Sequence, residues 1–209
     1  LTNSRLSILP YQISVAHRLL KEGDARFILA DEVGLGKTIE AGIFIKEMLA
    51  RNLAKRVLII SPASLTGQWE FEMKNKFHMN FFRLDSQAMA EMEVDYRSGS
   101  FFHKRSDEHK HLCSATLQYA RLDRCAKRLC EIEWDIVVFD EAHHLRRHLE
   151  NRKTNRFRTT LGYDLARELS EKTRSLLLLT ATPIQLHSFD LYTLVDLLNP
   201  YAFPDFNSF

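Results

Sequence analysis

Within five consecutive residues, Gly34, Leu35, Gly36, Lys37 and Thr38 bring together two glycines, an ammonium and a hydroxyl. The glycines let the backbone turn back with its N–H groups pointing inward. Those donors, with the positive end of a following helix, suit the β-phosphate of a nucleotide. Lys37 can then reach between β- and γ-phosphates, while the Thr38 hydroxyl takes a place on a magnesium ion. A nucleoside triphosphate and Mg2+ are what this set predicts. Asp31 stands where the general G-x-x-x-x-G-K-[ST] pattern has its first glycine, so the loop is a variant of that pattern. Read alone, Gly-Lys-Thr also describes a helix starting after a glycine turn.

A second chemical pair follows four apolar residues: Asp140 and Glu141, with Ala142, His143 and His144 behind them. Two adjacent carboxylates at a strand end divide naturally into a magnesium holder, Asp140, and a group that orients and polarises an attacking water, Glu141. The alternative is two solvated acids. A third apolar run delivers Thr180, Ala181 and Thr182, whose hydroxyls can bond a carboxylate or phosphate and feel the presence of a γ-phosphate. Gln12 offers a donor and an acceptor together, the pair needed to read an adenine edge, although a solvated glutamine at a helix start reads the same. The stretch 145–160 holds Arg146, Arg147, Arg152, Lys153, Arg156 and Arg158 against one acid, Glu150, which leaves phosphate contact and a solvated, partly mobile loop both open. His143, His144 and His148 make a poor metal site. The first two point apart in an extended chain, and zinc wants three or four ligands at loop or helical spacing.

The elements that must position these groups alternate. Residues 27–30 read as a buried strand and 38–51 as a helix apolar on nearly all sides. Residues 56–61 read as a strand, and 64–77 as a helix with Ser64 as N-cap. Strands are expected again at 79–84, 112–117, 134–139 and 175–180, and helices at 118–130, 161–171 and 189–198. An amphipathic helix ending before Gly23 precedes the glycine turn. The alternation predicts an α/β fold with a mostly parallel sheet and helices on both faces, ligands sitting at the carboxyl ends of the strands. Residues 85–111, polar and glycine-interrupted, read as a surface insertion, and the aromatic tail to Phe209 as packing back on the domain or on a partner.

The bulk numbers fit one domain of 209 residues with an ordinary core: 45% hydrophobic, 27% charged and a formal charge of +2, too small to announce nucleic acid by itself. Three cysteines without paired spacing suggest a reducing compartment and no zinc site. No run is long enough to span a bilayer, and the first residues lack a signal-peptide pattern, so a cytoplasmic protein without a membrane partner is expected. The chain begins without methionine, as a piece of something longer would.

Taken in order, the segments 31–38, 61–64 (Ser61, Pro62, Ala63, Ser64), 140–143 and 179–183 resemble the first motor lobe of helicase superfamily two. Ile39-Glu40-Ala41-Gly42, Gln68-Trp69, Glu133-Trp134-Asp135 and Leu198-Asn199-Pro200 narrow this to the Swi/Snf-type ATPases, most like the RapA-like prokaryotic branch. The resemblance covers nearly the whole chain, least at 85–111 and 145–160. It implies a RecA-like P-loop NTPase domain over 1–209. By the same resemblance Gln12 senses adenine, Lys37 and Thr38 serve phosphate and magnesium, and Asp140 and Glu141 are the metal and catalytic acids. Ser61 to Ser64 would touch nucleic-acid backbone, and Thr180 to Thr182 would link nucleotide state to the tracked strand.

Family motors close ATP between two such lobes, the second supplying arginines; that lobe is missing here, so hydrolysis by this lobe alone is expected near background. The implied function is a duplex-DNA ATPase that translocates and displaces bound protein, such as RNA polymerase, in the prokaryotic cytoplasm or nucleoid. A restriction or phage-defence motor, or a true DNA or RNA helicase, would use the same loop and acids. A small P-loop kinase has no reason to carry Thr180-Ala181-Thr182-Pro183, and intact Lys37, Asp140 and Glu141 argue against a non-catalytic nucleotide-dependent module.

Overall fold

The runs 57–60, 136–139 and 176–179 are apolar at every residue, as strands covered on both faces must be. In the computed structural model, which describes residues 9–21, 23–30, 36–88, 111–151, 156–181 and 187–209, all three are central strands of one sheet. Its members are β1 (Arg26–Ala30), β2 (Arg56–Ser61), β3 (Phe82–Leu84), β4 (His111–Thr116), β5 (Ile136–Phe139) and β8 (Ser175–Thr180). They lie in the order β1-β8-β5-β2-β4-β3, every neighbouring pair parallel. The α/β expectation holds.

Period-two alternation splits these runs between two cores. Leu58, Ile60, Val137, Phe139, Leu176 and Leu178 face the helices α4 (Leu117–Ala120), α5 (Asp123–Cys130), α6 (Leu161–Lys172) and α7 (Ser188–Leu198). Val57, Ile59, Ile136, Val138, Leu177 and Leu179 face α1 (Pro10–Lys21), α2 (Lys37–Ala50) and α3 (Ala63–Phe77). Gly42 sets how closely α2 and α3 pack, because a Cβ there would stand 2.3 Å from Phe77 Cε2. Gly42→Ala is therefore expected to destabilise. Overpacking a rigid ring costs about 1–3 kcal/mol, more than the roughly 1 kcal/mol that alanine gains in helix propensity. Thermal unfolding checks this: a Tm lowered by a few degrees is expected, and an unchanged or raised Tm would show that Phe77 yields freely.

Several local expectations are corrected. The single helix over 118–130 is two, broken at Arg121 and Leu122. Its buried positions jump five residues, from Ala120 to Cys125, with Leu122 exposed between them, and one continuous helix could not keep both on the core face. The Thr116 hydroxyl caps α4, accepting from Tyr119 N at 3.2 Å. Helix α3 starts at Ala63 with Pro62 as N-cap and no side-chain cap, so Ser64 is already inside the helix. The strand expected over 79–84 is confined to β3. Of the proposed insertion 85–111, residues 89–110 lie outside the described residues.

The basic stretch after the two acids forms an antiparallel hairpin, β6 (Arg147–Asn151) and β7 (Arg156–Thr159). Arg146, His148 and Arg158 are exposed, but Arg147 is buried. Its guanidinium carbon lies 4.9 to 5.9 Å from the ring centroids of Phe157, Tyr163, Phe189 and Tyr192, and its Nη1 is 3.3 Å from Asp196 Oδ2. Tyr163 donates to the same carboxylate oxygen at 2.9 Å. Arg147 is thus a core residue, not part of a charged surface. Arg152 and Lys153 lie outside the described residues.

The aromatic tail packs on its own domain: Phe206 sits 5.0 Å from Phe189 and Phe209 sits 5.5 Å from Tyr192, centroid to centroid. The three cysteines are buried and unbridged. Burial pushes the Cys125 thiol up to about 11 and the Cys130 thiol up to about 12, so both are protonated at neutral pH. Among the described residues no helix is long and apolar enough to cross a membrane.

Candidate nucleotide site

Strands β1, β8, β5 and β2 are consecutive in the sheet and parallel, so the segments that leave their carboxyl ends emerge side by side. At and beyond those ends, among the described residues, lie Gly36 at the start of α2, Thr180 with Ala181, Asp140 with Glu141, and the segment from Ser61 to Ser64. Gly34, Leu35 and Thr182 lie outside the described residues. Gly36 is the N-cap of α2 in the left-handed region, φ 96°, where a side chain is strained. Any Cβ would also strike Gln12, 2.2 Å from its Nε2.

Gln12 is 4% exposed, which removes the solvated reading. Its Oε1 accepts from Leu9 N at 3.0 Å, and its amide nitrogen lies against Gly36. The carboxamide is part of the wall of the turn. Gly36, Lys37 and Thr38 line a cavity of about 510 Å³ together with Gln12, Asp140, Glu141 and Ala181. That volume lies within the roughly 300–1,000 Å³ of small-molecule sites. A larger cleft, about 650 Å³, opens beside Arg26 and Tyr201. Arg26 is spent there on the carbonyls of Ser170, Thr173, Leu197 and Leu198, and the cleft contains none of the predicted phosphate residues.

Asp140 continues β5, its N–H donating to Ile60 O at 2.8 Å. Its two oxygens have separate donors: Oδ1 accepts from Glu141 N at 2.9 Å, and Oδ2 from the indole Nε1 of Trp69 at 2.8 Å. Glu141 is left-handed at φ 50° and ψ 49°, a conformation that costs a non-glycine residue about 1–2 kcal/mol. It turns the chain into the 3₁₀ turn Ala142–His144. The histidines therefore do not point apart along an extended segment, and their ring centroids are 4.2 Å apart. His143 Nδ1 lies 3.0 Å from Glu141 Oε2 but lacks hydrogen-bond geometry. Desolvation, then His143 and Arg146, lower the His144 pKa.

A carboxylate whose plane is held by two donors, with no further donor to it among the described residues, beside a threonine hydroxyl on the same cavity, fits a magnesium ion. That ion takes one or two protein oxygens and completes its shell with water and phosphate. No group of three or more His, Cys, Asp or Glu side chains that could hold a metal occurs among the described residues. Thr180 is buried at the end of β8, and Ala181 lines the cavity. Ser61 is fully buried, its hydroxyl 2.8 Å from that of Thr66. Within the segment from Ser61 to Ser64, the exposed residues are Ala63 and Ser64, at the start of α3.

Sequence reasoning missed the contribution of α3 to this cavity: Leu65, Gln68, Trp69, Glu72 and Lys76 all line it. Their three- and four-residue spacing would have marked one helix face. Gln68 donates to Glu72 Oε1 at 2.9 Å, and Lys76 to Glu72 Oε2 at 3.1 Å.

Solved structures similar to this chain include two from Sulfolobus solfataricus. The Sulfolobus solfataricus SWI2/SNF2 ATPase core in complex with dsDNA is 24% identical with a TM-score of 0.71, over 96% of this chain and 37% of that one. The Sulfolobus solfataricus SWI2/SNF2 ATPase core domain is 25% identical with a TM-score of 0.69, over 96% of this chain and 36% of that one. This chain thus spans little more than a third of either. Its six-stranded parallel sheet, flanked by helices, is the RecA-like fold of the SNF2 ATPase core. The family described as SNF2-related domain matches residues 11–209, and the chain belongs to it.

Proposed function

We propose that this domain is the ATP-binding lobe of a nucleic-acid-dependent ATPase that moves on duplex DNA. The observation that carries the reading is the convergence of Lys37, Thr38, Asp140 and Glu141, from two strand ends, on one cavity. Lys37 binds β- and γ-phosphates as a point charge, and Thr38 with Asp140 holds magnesium. When bound, magnesium neutralises charge on the phosphates. Glu141 orients a water and takes its proton. Gln12, packed against the turn, contacts the base, and Gly34 and Leu35 complete the phosphate cradle.

Duplex DNA is the preferred partner because a structure of similar fold is a SWI2/SNF2 core bound to dsDNA. We assign backbone contact to Pro62, Ala63 and Ser64 rather than to the buried Ser61. Coupling to the nucleotide goes to Thr180, Ala181 and Thr182. A second lobe of the same parent chain would close the cavity and supply arginines, and this lobe alone would turn over near background. The RapA-like wording of the motifs supports a prokaryotic translocase that displaces a DNA-bound protein such as RNA polymerase.

ATP turnover by the protein carrying this domain, titrated with duplex DNA, single strands and RNA, tests the reading. Stimulation by duplex is expected. Stimulation by single strands or RNA alone would replace the duplex translocase with a helicase of another kind, and no stimulation would end the nucleic-acid reading.

A further inference from the structure

Asp140 needs more than the right position. A carboxylate turns broadly about its last torsion, and metal ligands are commonly held by outer donors. Among the described residues, the one side chain that donates to Asp140 comes from 71 residues away: Trp69, on α3, 2% exposed. An indole is an expensive way to fill a core, since its N–H must find a partner when buried. The chain has two tryptophans, and both indoles are satisfied in different ways. Trp134 donates to the carbonyl of Leu129, at 2.9 Å, within its own neighbourhood. Trp69 donates across the domain to a carboxylate whose other oxygen is held by the backbone N–H of Glu141.

We propose that Trp69 is a positioning residue for the magnesium carboxylate, its indole N–H fixing the plane of Asp140 so that the remaining lone pairs face the cavity. This rests on the reading of the cavity as a magnesium-nucleotide site. A phenylalanine at 69 would fill much of the same space and leave Asp140 Oδ2 without its donor. The effect therefore falls on magnesium and spares contacts that do not pass through Asp140. Loss of such outer donors typically lowers metal affinity about 10- to 100-fold.

Two measurements decide it. In ¹H–¹⁵N spectra the 209-residue chain gives two indole cross-peaks, assigned from the single phenylalanine variants. Adding magnesium to the ADP-bound wild-type chain should move the Trp69 peak and leave that of Trp134, and Asp140→Asn should also move only the former. A Trp69 peak unmoved by both overturns the proposal, and this arm needs no core substitution in the protein being titrated. In the second, binding of a fluorescent ADP analogue is followed against magnesium concentration. Trp69→Phe should raise the half-saturating magnesium by about tenfold, a larger change than any in binding in EDTA. If wild type binds and Trp69→Phe shares its magnesium dependence, only the inference falls. If wild type binds no nucleotide with or without magnesium, the reading of the cavity falls and takes the inference with it.

Discussion

Lys37→Ala should remove tight nucleotide binding. Lys37 opens α2 directly after the left-handed Gly36 and lines the cavity. In that place its ammonium would make charge-assisted bonds to two phosphates. Each such bond contributes about 1.5–3 kcal/mol, so losing two weakens affinity by roughly 100-fold or more at 1.4 kcal/mol per decade. No second lysine in the glycine turn can take over. Equilibrium titration with a fluorescent ATP analogue should show no saturation in the range that saturates wild type, with Tm little changed because Lys37 is half-buried. Wild-type affinity would remove Lys37 from the cradle.

Glu141→Gln should fail at a different step. The amide matches the carboxylate in shape, and Glu141 holds Asp140 through its backbone N–H, which the substitution keeps. What disappears is the group that can accept a proton from water, worth about 10²- to 10⁴-fold in rate. Nucleotide affinity should stay near wild type while single-turnover hydrolysis by the protein carrying this domain falls by that factor. Hydrolysis at the wild-type rate would assign the base elsewhere. The left-handed backbone at Glu141 is equally awkward for glutamine, so strain does not confuse the comparison.

Fold class was readable because each central strand is apolar without interruption and ends in polar residues. That pattern belongs to parallel strands with ligands at their carboxyl edge. That Lys37, Thr38, Asp140 and Glu141 would line one cavity could be expected for the same reason, as their types and places follow from short motifs. Trp69 could not. Its partner is distant in sequence, and nothing in a tryptophan on a helix says which acceptor its N–H will meet. Arg147 was misread because a run of basic residues says nothing about which one the hairpin turns inward, and its cage comes from three separate elements. Ser61 was overread: the resemblance gave it a backbone contact, but strand β2 still carries it inside.

The buried Arg147 has a mechanical meaning. The chain leaving β5 becomes the hairpin, and the chain leaving β8 becomes α7. Both begin at the edge that holds the cavity. Arg147 fastens one to the other, through Asp196 and the rings of Phe189 and Tyr192 on α7. The hairpin that carries the exposed His148 and Arg158 is thus joined to α7 through one buried guanidinium, and removing that side chain is expected to loosen both together.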